Sequence, residues 1–261
     1  MNTTVNLLNG KFSIEMQTFG SGGEPLLYLH GAGGNNGIEG FLEELGKDFK
    51  VFAPQFPGYG ESTGNEYIDD VVDAALFYHQ LMDELGIPTA NVVGHSMGGM
   101  LAAELAALDV HRAKKLVLVA PAGFWIDSNP IPDFFAAQLN EIAPLLFHDT
   151  NSPMAKMMTA IPEDFKALET MYVERVKRLA TASKFLWPIP DRGLKKRAYR
   201  IQSPTLLMWG ESDRLIPPAY AKEFQSRIKG SKLEVIKAAG HMVQYEQPEA
   251  FVKTVKAFLK G

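Results

Sequence analysis

Gly94-His95-Ser96-Met97-Gly98-Gly99 sets a serine two positions from a glycine on either side. The run follows Asn91-Val92-Val93, which reads as a buried strand, and opens Met97–Leu108, a small-residue stretch that reads as a packed helix. A G-x-S-x-G turn between strand and helix holds its serine on a tight bend, with the hydroxyl lifted above the C-terminal edge of a sheet. Side chains larger than glycine two positions away would collide with neighbouring backbone. The N–H groups that open the helix point toward developing negative charge. Ser96 is therefore the candidate nucleophile, and a glycine-rich packing turn is the plainer alternative.

A serine needs a base, and the base needs an orienting group. The histidines are His30, His79, His95, His111, His148 and His241. His241 follows the last strand-like stretch in Ala239-Gly240-His241-Met242, where a loop reaches across the same sheet edge. His79 and His111 lie on or beside helical stretches. His95 belongs to the elbow, and strand alternation turns it away from Ser96. His148 stays open. For the acid, Gly210-Glu211-Ser212-Asp213-Arg214 follows the strand-like Thr205–Trp209. Asp213 is preferred to Glu211 because it lies further beyond the strand, although Asp there often only caps a helix or closes a turn. The chain order is then Ser96, Asp213, His241, one of the known triad orders.

Acyl chemistry also needs donors for an oxyanion. His30-Gly31-Ala32-Gly33-Gly34 can present backbone N–H groups above Ser96, and the Met97 N–H is the second donor. The same loop lacks the third glycine of a dinucleotide fingerprint, and no Gly-Lys-Ser/Thr follows as in a P-loop. No cofactor and no metal site is expected.

These residues require a frame. Residues 3–20 alternate around Asn9-Gly10, a pair that favours a hairpin turn. Leu26–His30, Val51–Phe56, Asn91–His95, Leu116–Ala120 and Thr205–Trp209 read as buried strands, and Leu233–Lys237 as a more polar edge strand. Glu66–Leu85, Met97–Leu108, Pro217–Ile228 and Pro248–Leu259 read as helices. Such alternation implies a mostly parallel sheet covered on both faces. It stops between Ala122 and Arg200, a stretch rich in Pro, Phe and Met. Helical periods over Asp133–Phe147 and Glu163–Leu179 make this a helical insertion between two strands.

The 261 residues carry 46% hydrophobic and 21% charged side chains, enough apolar surface for a sizeable core. A net charge of −4 leaves no basic excess for phosphates, so nucleic acid is not an expected partner. Without cysteine there is no disulfide, thiolate metal site or Cys nucleophile. No apolar run reaches the roughly 20 residues of a membrane span. The first residues lack a signal-peptide pattern, so a cytoplasmic location is the expectation. The expected partner is a small-molecule substrate, and a homo-oligomer stays open.

Taken in order, His30-Gly31, Pro57-Gly58-Tyr59-Gly60-Glu61-Ser62, Gly94–Gly99, Gly210–Arg214 and Gly240-His241 resemble the α/β-hydrolase superfamily. The resemblance implies an α/β fold with an eight-stranded core over residues 1–121 and 201–261, and a helical cap over 122–200. It carries over Ser96, His241 and Asp213 as a catalytic triad and Ala32 and Met97 as oxyanion donors. Gln55 stands where relatives often have Asp, a position read as structural. Relatives with Asp at the elbow, such as dehalogenases and epoxide hydrolases, look different. The favoured activity is esterase-like hydrolysis of a small apolar or aromatic substrate. The alternatives are hydrolysis of carbon–carbon bonds in aromatic ring-cleavage products, and ligand binding with little turnover. The carbon–carbon group commonly has Trp after the catalytic His, where this chain has Met242, while Gln244 suits that group better. Gly33, Phe124, Trp125, Met158, Trp187 and Met242 are the expected substrate contacts, and cap arginines such as Arg175, Arg178, Arg192 and Arg197 read first as a solvated helix face.

Overall fold

Asn9 and Gly10 take left-handed backbone angles, φ 55° and 87°, and turn β1 (Asn2–Leu7) back onto β2 (Phe12–Phe19) as an antiparallel pair. The computed structural model describes residues 2–189 and 191–261. In it β1 and β2 join β3 (Pro25–Leu29), β4 (Lys50–Pro54), β5 (Ala90–His95), β6 (Ala113–Val119), β7 (Thr205–Gly210) and β8 (Lys232–Ile236) in one sheet. The spatial order is β1-β2-β4-β3-β5-β6-β7-β8. β2 meets β4 antiparallel, and every later pairing is parallel.

The inner strands are apolar on both faces because both faces are covered. Side chains alternate across a strand. Leu27, Leu29, Val92, Leu116, Leu118 and Leu207 thus belong to one core cluster, and Leu26, Tyr28, Val93, Val117, Val119 and Met208 to another. Residues of α2 (Val71–Glu84), α3 (Met97–Leu108) and α8 (Ala219–Arg227) fill the first, while α1 (Gly40–Gly46) and α10 (Pro248–Lys260) fill the second. Helix α3 is buried from Met97 to Ala107, as expected of small residues packed under other elements.

Between β6 and β7 lie α4 (Leu139–Leu146), α5 (Pro153–Met158), α6 (Phe165–Leu186) and α7 (Leu194–Arg197), with no strand among the described residues. Several side-chain bonds tie them down, among them those of the half-buried Arg197 and Lys184. The Arg197 guanidinium makes two hydrogen bonds, 2.7 and 2.6 Å, to the carboxylate of Glu104, which is fully buried in α3. The Lys184 ammonium donates to the carbonyls of Asn65 and Ile68 at 2.6 and 2.9 Å. The short α9 (Val243–Glu246) precedes α10. Among the described residues no helix is long and apolar enough to cross a membrane.

Some boundaries differ from the sequence reading. The helix expected from Glu66 begins at Val71, because the Asp70 carboxylate accepts from the N–H groups of Val72 and Asp73 and caps it there. The helix expected from Asp133 begins at Leu139. Asp133 instead closes a separate turn onto Phe135 and Ala136, and Glu141 reaches back to the Gln138 N–H. Helix α6 runs on to Leu186, past the expected end at Leu179. Helix α1 was not anticipated: at seven residues it is too short to show a period.

Candidate active site

Ser96 joins β5 to α3 with φ 55° and ψ −116°, angles seldom tolerated outside a strained turn. Its N–H donates to the Val119 carbonyl at 2.9 Å, and its carbonyl accepts from Met100 and Ala122. The glycines are required by close approach. A Cβ on Gly94 would lie 2.3 Å from the Gly98 carbonyl oxygen, and one on Gly98 would lie 2.1 Å from that of Leu29. The elbow thus seats α3 directly on the end of β3. Ser96 lines a cavity of about 710 Å³ that reaches beneath the helices between β6 and β7.

His241 lines the same cavity, and Asp213 is bonded to its ring. The His241 Nδ1–H donates to Asp213 Oδ2 at 2.8 Å. Asp213 Oδ1 accepts from the N–H groups of Leu215 and Ile216 at 2.9 and 2.8 Å, so the carboxylate is held from both sides. The two residues are only 1% and 3% exposed. Glu211, the competing carboxylate, is exposed and accepts from the Ala238 N–H at 2.8 Å, turned away from His241. With Nδ1 committed, His241 Nε2 is the ring nitrogen left over; it is buried and has no hydrogen-bond partner among the described residues. His241 and Ser96 both line the cavity. In unliganded sites such hydrogen bonds are often long and tighten with substrate.

The other histidines take separate places. His95 does not turn away from the site: its Nε2–H donates to the His241 carbonyl at 2.9 Å, and the rings lie 4.9 Å apart. The strand ends at His95 and the elbow bends immediately after it, so alternation no longer decides where the ring points. Burial, and then the neighbouring His241, push the His95 pKa down to about 3. His30 donates from Nδ1 to the Gly31 carbonyl and accepts at Nε2 from the Phe56 N–H; burial lowers its pKa to about 4. Both are neutral struts. His148 is exposed, pairs with the Ser212 hydroxyl at 2.7 Å and does not line the cavity.

Near Ser96, the Gly34 N–H closes onto the Gly31 carbonyl at 3.0 Å and leaves Ala32 at the corner of a turn. Met97 is the first residue of α3, so its N–H has no carbonyl within the helix to bond.

Of the expected substrate contacts, Gly33, Met158 and Met242 line the cavity and the other three do not. Phe124 is buried, stacked on Phe224 with ring centroids 3.9 Å apart. The Trp125 indole N–H is held by Asp127, and Trp187 lies edge-on to Phe135, 48% exposed. Phe134, Phe135, Ile161 and Phe185 supply apolar wall instead. Sequence reasoning missed Tyr28 and Tyr245, which also line the cavity. It missed Glu246 too. Its carboxylate accepts from the Gly240 and His148 N–H groups at 2.6 Å each and so pins the His241 loop. Gln244 lines the cavity with neither amide atom hydrogen-bonded among the described residues.

Residues 24–248 match the family described as alpha/beta hydrolase fold. Lipase 3 of a Moraxella species is 30% identical over 251 residues, covering 92% of this chain and 78% of that protein. The dihydrolipoyllysine-residue acetyltransferase component of the acetoin cleaving system of Cupriavidus necator is 31% identical over 93% of this chain; the chain spans 65% of that protein's length. Hydrolases of 2-hydroxy-6-oxononadienedioate are further relatives, at 27–28% identity. Among solved structures, that of a membrane phospholipase A superposes with a TM-score of 0.84 over 100% of this chain and 86% of the other, at 22% identity.

Proposed function

This chain belongs to the α/β-hydrolase family, and from that membership we propose that it is a serine hydrolase cleaving esters or related acyl bonds of small apolar or aromatic substrates. The observation that carries the reading is the His241 ring. Its Nδ1–H is fixed on the buried Asp213 carboxylate, which leaves Nε2 as the basic nitrogen beside the cavity that Ser96 lines. Asp213 holds the tautomer and stabilises the imidazolium that forms.

In this reading Ser96 Oγ attacks the substrate carbonyl and gives its proton to His241 Nε2. The carbonyl oxygen becomes an oxyanion that accepts hydrogen bonds from the Ala32 and Met97 N–H groups. His241 then protonates the departing alcohol, leaving an acyl-Ser96. Water, deprotonated by the same nitrogen, attacks the acyl group; His241 gives that proton to Ser96 Oγ as the C–O bond breaks, and the carboxylic acid leaves. Residues 122–200 act as a cap over the site, and Met158 and Met242 bend to the shape of an apolar group.

A panel of p-nitrophenyl esters of graded chain length, with labelling by a small fluorophosphonate, tests the reading. Hydrolysis and labelling in the wild type, both lost in Ser96→Ala, support it. A folded wild type that is neither labelled nor active indicates a ligand-binding protein. Carbon–carbon hydrolysis is the second reading, favoured by the buried Gln244 at the cavity and by the ring-cleavage hydrolases among the relatives. A vinylogous 1,5-diketone in the same panel separates the two: turnover of the diketone without ester hydrolysis replaces the first reading with the second.

A further inference from the structure

Hydrogen bonds with four side chains hold residues 31–37, the first being that of the His30 Nδ1–H to the Gly31 carbonyl at 2.7 Å. Gln55 takes the Asn35 backbone in both directions, accepting its N–H at 3.1 Å and donating to its carbonyl at 2.7 Å. Glu39 accepts the N–H groups of Asn36 and Gly37 at 2.5 and 2.8 Å. Both grip the far end of the loop. Before Ala32, Gly31 is bonded to His30 and lies close against His95 and Ser96; after it, Gly33 is loosely packed, and a Cβ there would meet nothing within 4 Å. The restraint there comes from the helical segment. Arg178 of α6 donates from one guanidinium nitrogen to the Gly33 carbonyl at 2.9 Å and to Asn36 Oδ1 at 2.7 Å.

This arginine is not a loose surface cation. Its own carbonyl accepts from the buried Tyr59 hydroxyl at 3.3 Å, and the adjacent Lys177 donates to the Gly60 carbonyl at 2.9 Å. Its Nε faces Glu174 across 4.0 Å. The helix is thus fastened to the core on the side from which the guanidinium reaches the loop.

We propose that Arg178 is a positioning residue: from the helical segment it latches the Gly33–Asn36 loop so that the Ala32 N–H keeps its aim at the oxyanion. The proposal rests on the serine-hydrolase reading. It gives that segment a part in turnover beyond shaping the pocket. A latch acts on an interaction made in the transition state, so its loss lowers kcat and leaves KM nearly unchanged.

The test uses p-nitrophenyl butyrate turnover and the rate of inactivation by a small fluorophosphonate. Arg178→Met keeps the apolar stem and removes the donors. It should lower kcat and the inactivation rate together by about tenfold to a hundredfold, the scale of a misaimed donor. KM should stay within about threefold, since ground-state binding is spared. Arg178→Lys should recover part of the loss. Asn36→Ala removes one acceptor without touching α6 and should show a smaller drop of the same kind; it carries the test if Arg178→Met fails to fold. Folded Arg178→Met with wild-type kcat overturns the latch, as does a raised KM with unchanged kcat, which makes Arg178 a substrate contact. If Ser96→Ala is inactive while Arg178→Met is normal, the latch alone fails. If Ser96→Ala keeps wild-type turnover, the underlying reading fails.

Discussion

The loops at the C-terminal ends of β5, β7 and β8 hold the buried polar groups Ser96, Asp213 and His241 in single arrangements. Asp213 has three hydrogen bonds and almost no solvent contact, and the elbow glycines sit where a Cβ would strike backbone. The segment between β6 and β7 is built differently. On α6, Phe165, Val173 and Val176 are 79%, 60% and 64% exposed, and few of that helix's residues are buried. Where one geometry is demanded, low-dielectric burial makes each lost partner costly. Where an apolar wall only has to be roughly the right shape, side chains exchange at modest cost. Aim is concentrated in the first region and shape in the second, with Arg178 and Arg197 as bridges from the second to the loop after β3 and to α3.

The largest expected effect lies at the sheet edge. Ser96→Ala and His241→Ala should each lower kcat by about ten-thousandfold or more, and the double variant should be no worse, since the groups act as a unit. Asp213→Asn should cost on the order of a thousandfold or more. Glu211→Gln should cost almost nothing, because its carboxylate holds only the Ala238 N–H. Steady-state kinetics checks this, with thermal midpoints near wild type for Ser96→Ala. Comparable losses from Glu211→Gln and Asp213→Asn would blur the contrast between one exact site and its surroundings.

The next effect falls on a bridge. Arg197→Met leaves the Glu104 carboxylate buried with no cation, and burial already pushes that group's pKa up. Stability should fall by about 3 kcal/mol. Replacing the pair together by Met and Leu should recover most of it, as urea unfolding can measure.

Acid should lower the stability of the fold through two buried histidines. His30 and His95 stay neutral in the folded chain down to about pH 4 and about pH 3. In the unfolded chain both take up protons near pH 6.5, close to the usual histidine value, at about 6.5. Between those values the unfolded state binds more protons. Stability is therefore full above that range and falls as pH drops through it, by on the order of a few kcal/mol for each ring. Unfolding free energies measured from neutral to acidic pH should show this slope, and a flat profile contradicts the neutral struts.

The smallest effect belongs to the wall. Met158→Ala should reorder ester chain lengths by about 1–3 kcal/mol in relative kcat/KM, the range open to an apolar pocket. Trp187→Ala, whose ring packs on Phe135 outside the cavity, should leave the order unchanged. An equal shift from both would mean that the wall extends further than the cavity does.

How much was legible follows the same division. Strand and helix alternation, the hairpin at Asn9-Gly10 and the helix from Met97 to Leu108 were readable, because each is signalled by neighbours in the chain. Helix α1 was not, being too short to show a period. Asp70 and Asp133 moved two helix starts through side-chain bonds that a periodic pattern does not register. In the wall, aromatic content told that residues 122–200 were apolar but not which rings face inward. Phe124 and Trp187 found other rings, and Phe134 and Phe185 took the cavity.

By itself the sequence determined that a serine sits on a glycine-framed bend between strand and helix, since the closest approach that Gly94 makes, to the Gly98 carbonyl, lies within the turn itself. It also narrowed the partners to His241, with His148 still open, and two carboxylates two residues apart. The choice between Asp213 and Glu211, the turning of His95 onto His241, and the reach of Arg178 to Gly33 were decided only in the tertiary structure. Those contacts join residues 28, 27, 146 and 145 positions apart. Their geometry depends on how strands stack and where a helix lands. A local pattern constrains its own backbone, whereas the aim of a side chain across the fold is fixed only when the whole core has packed.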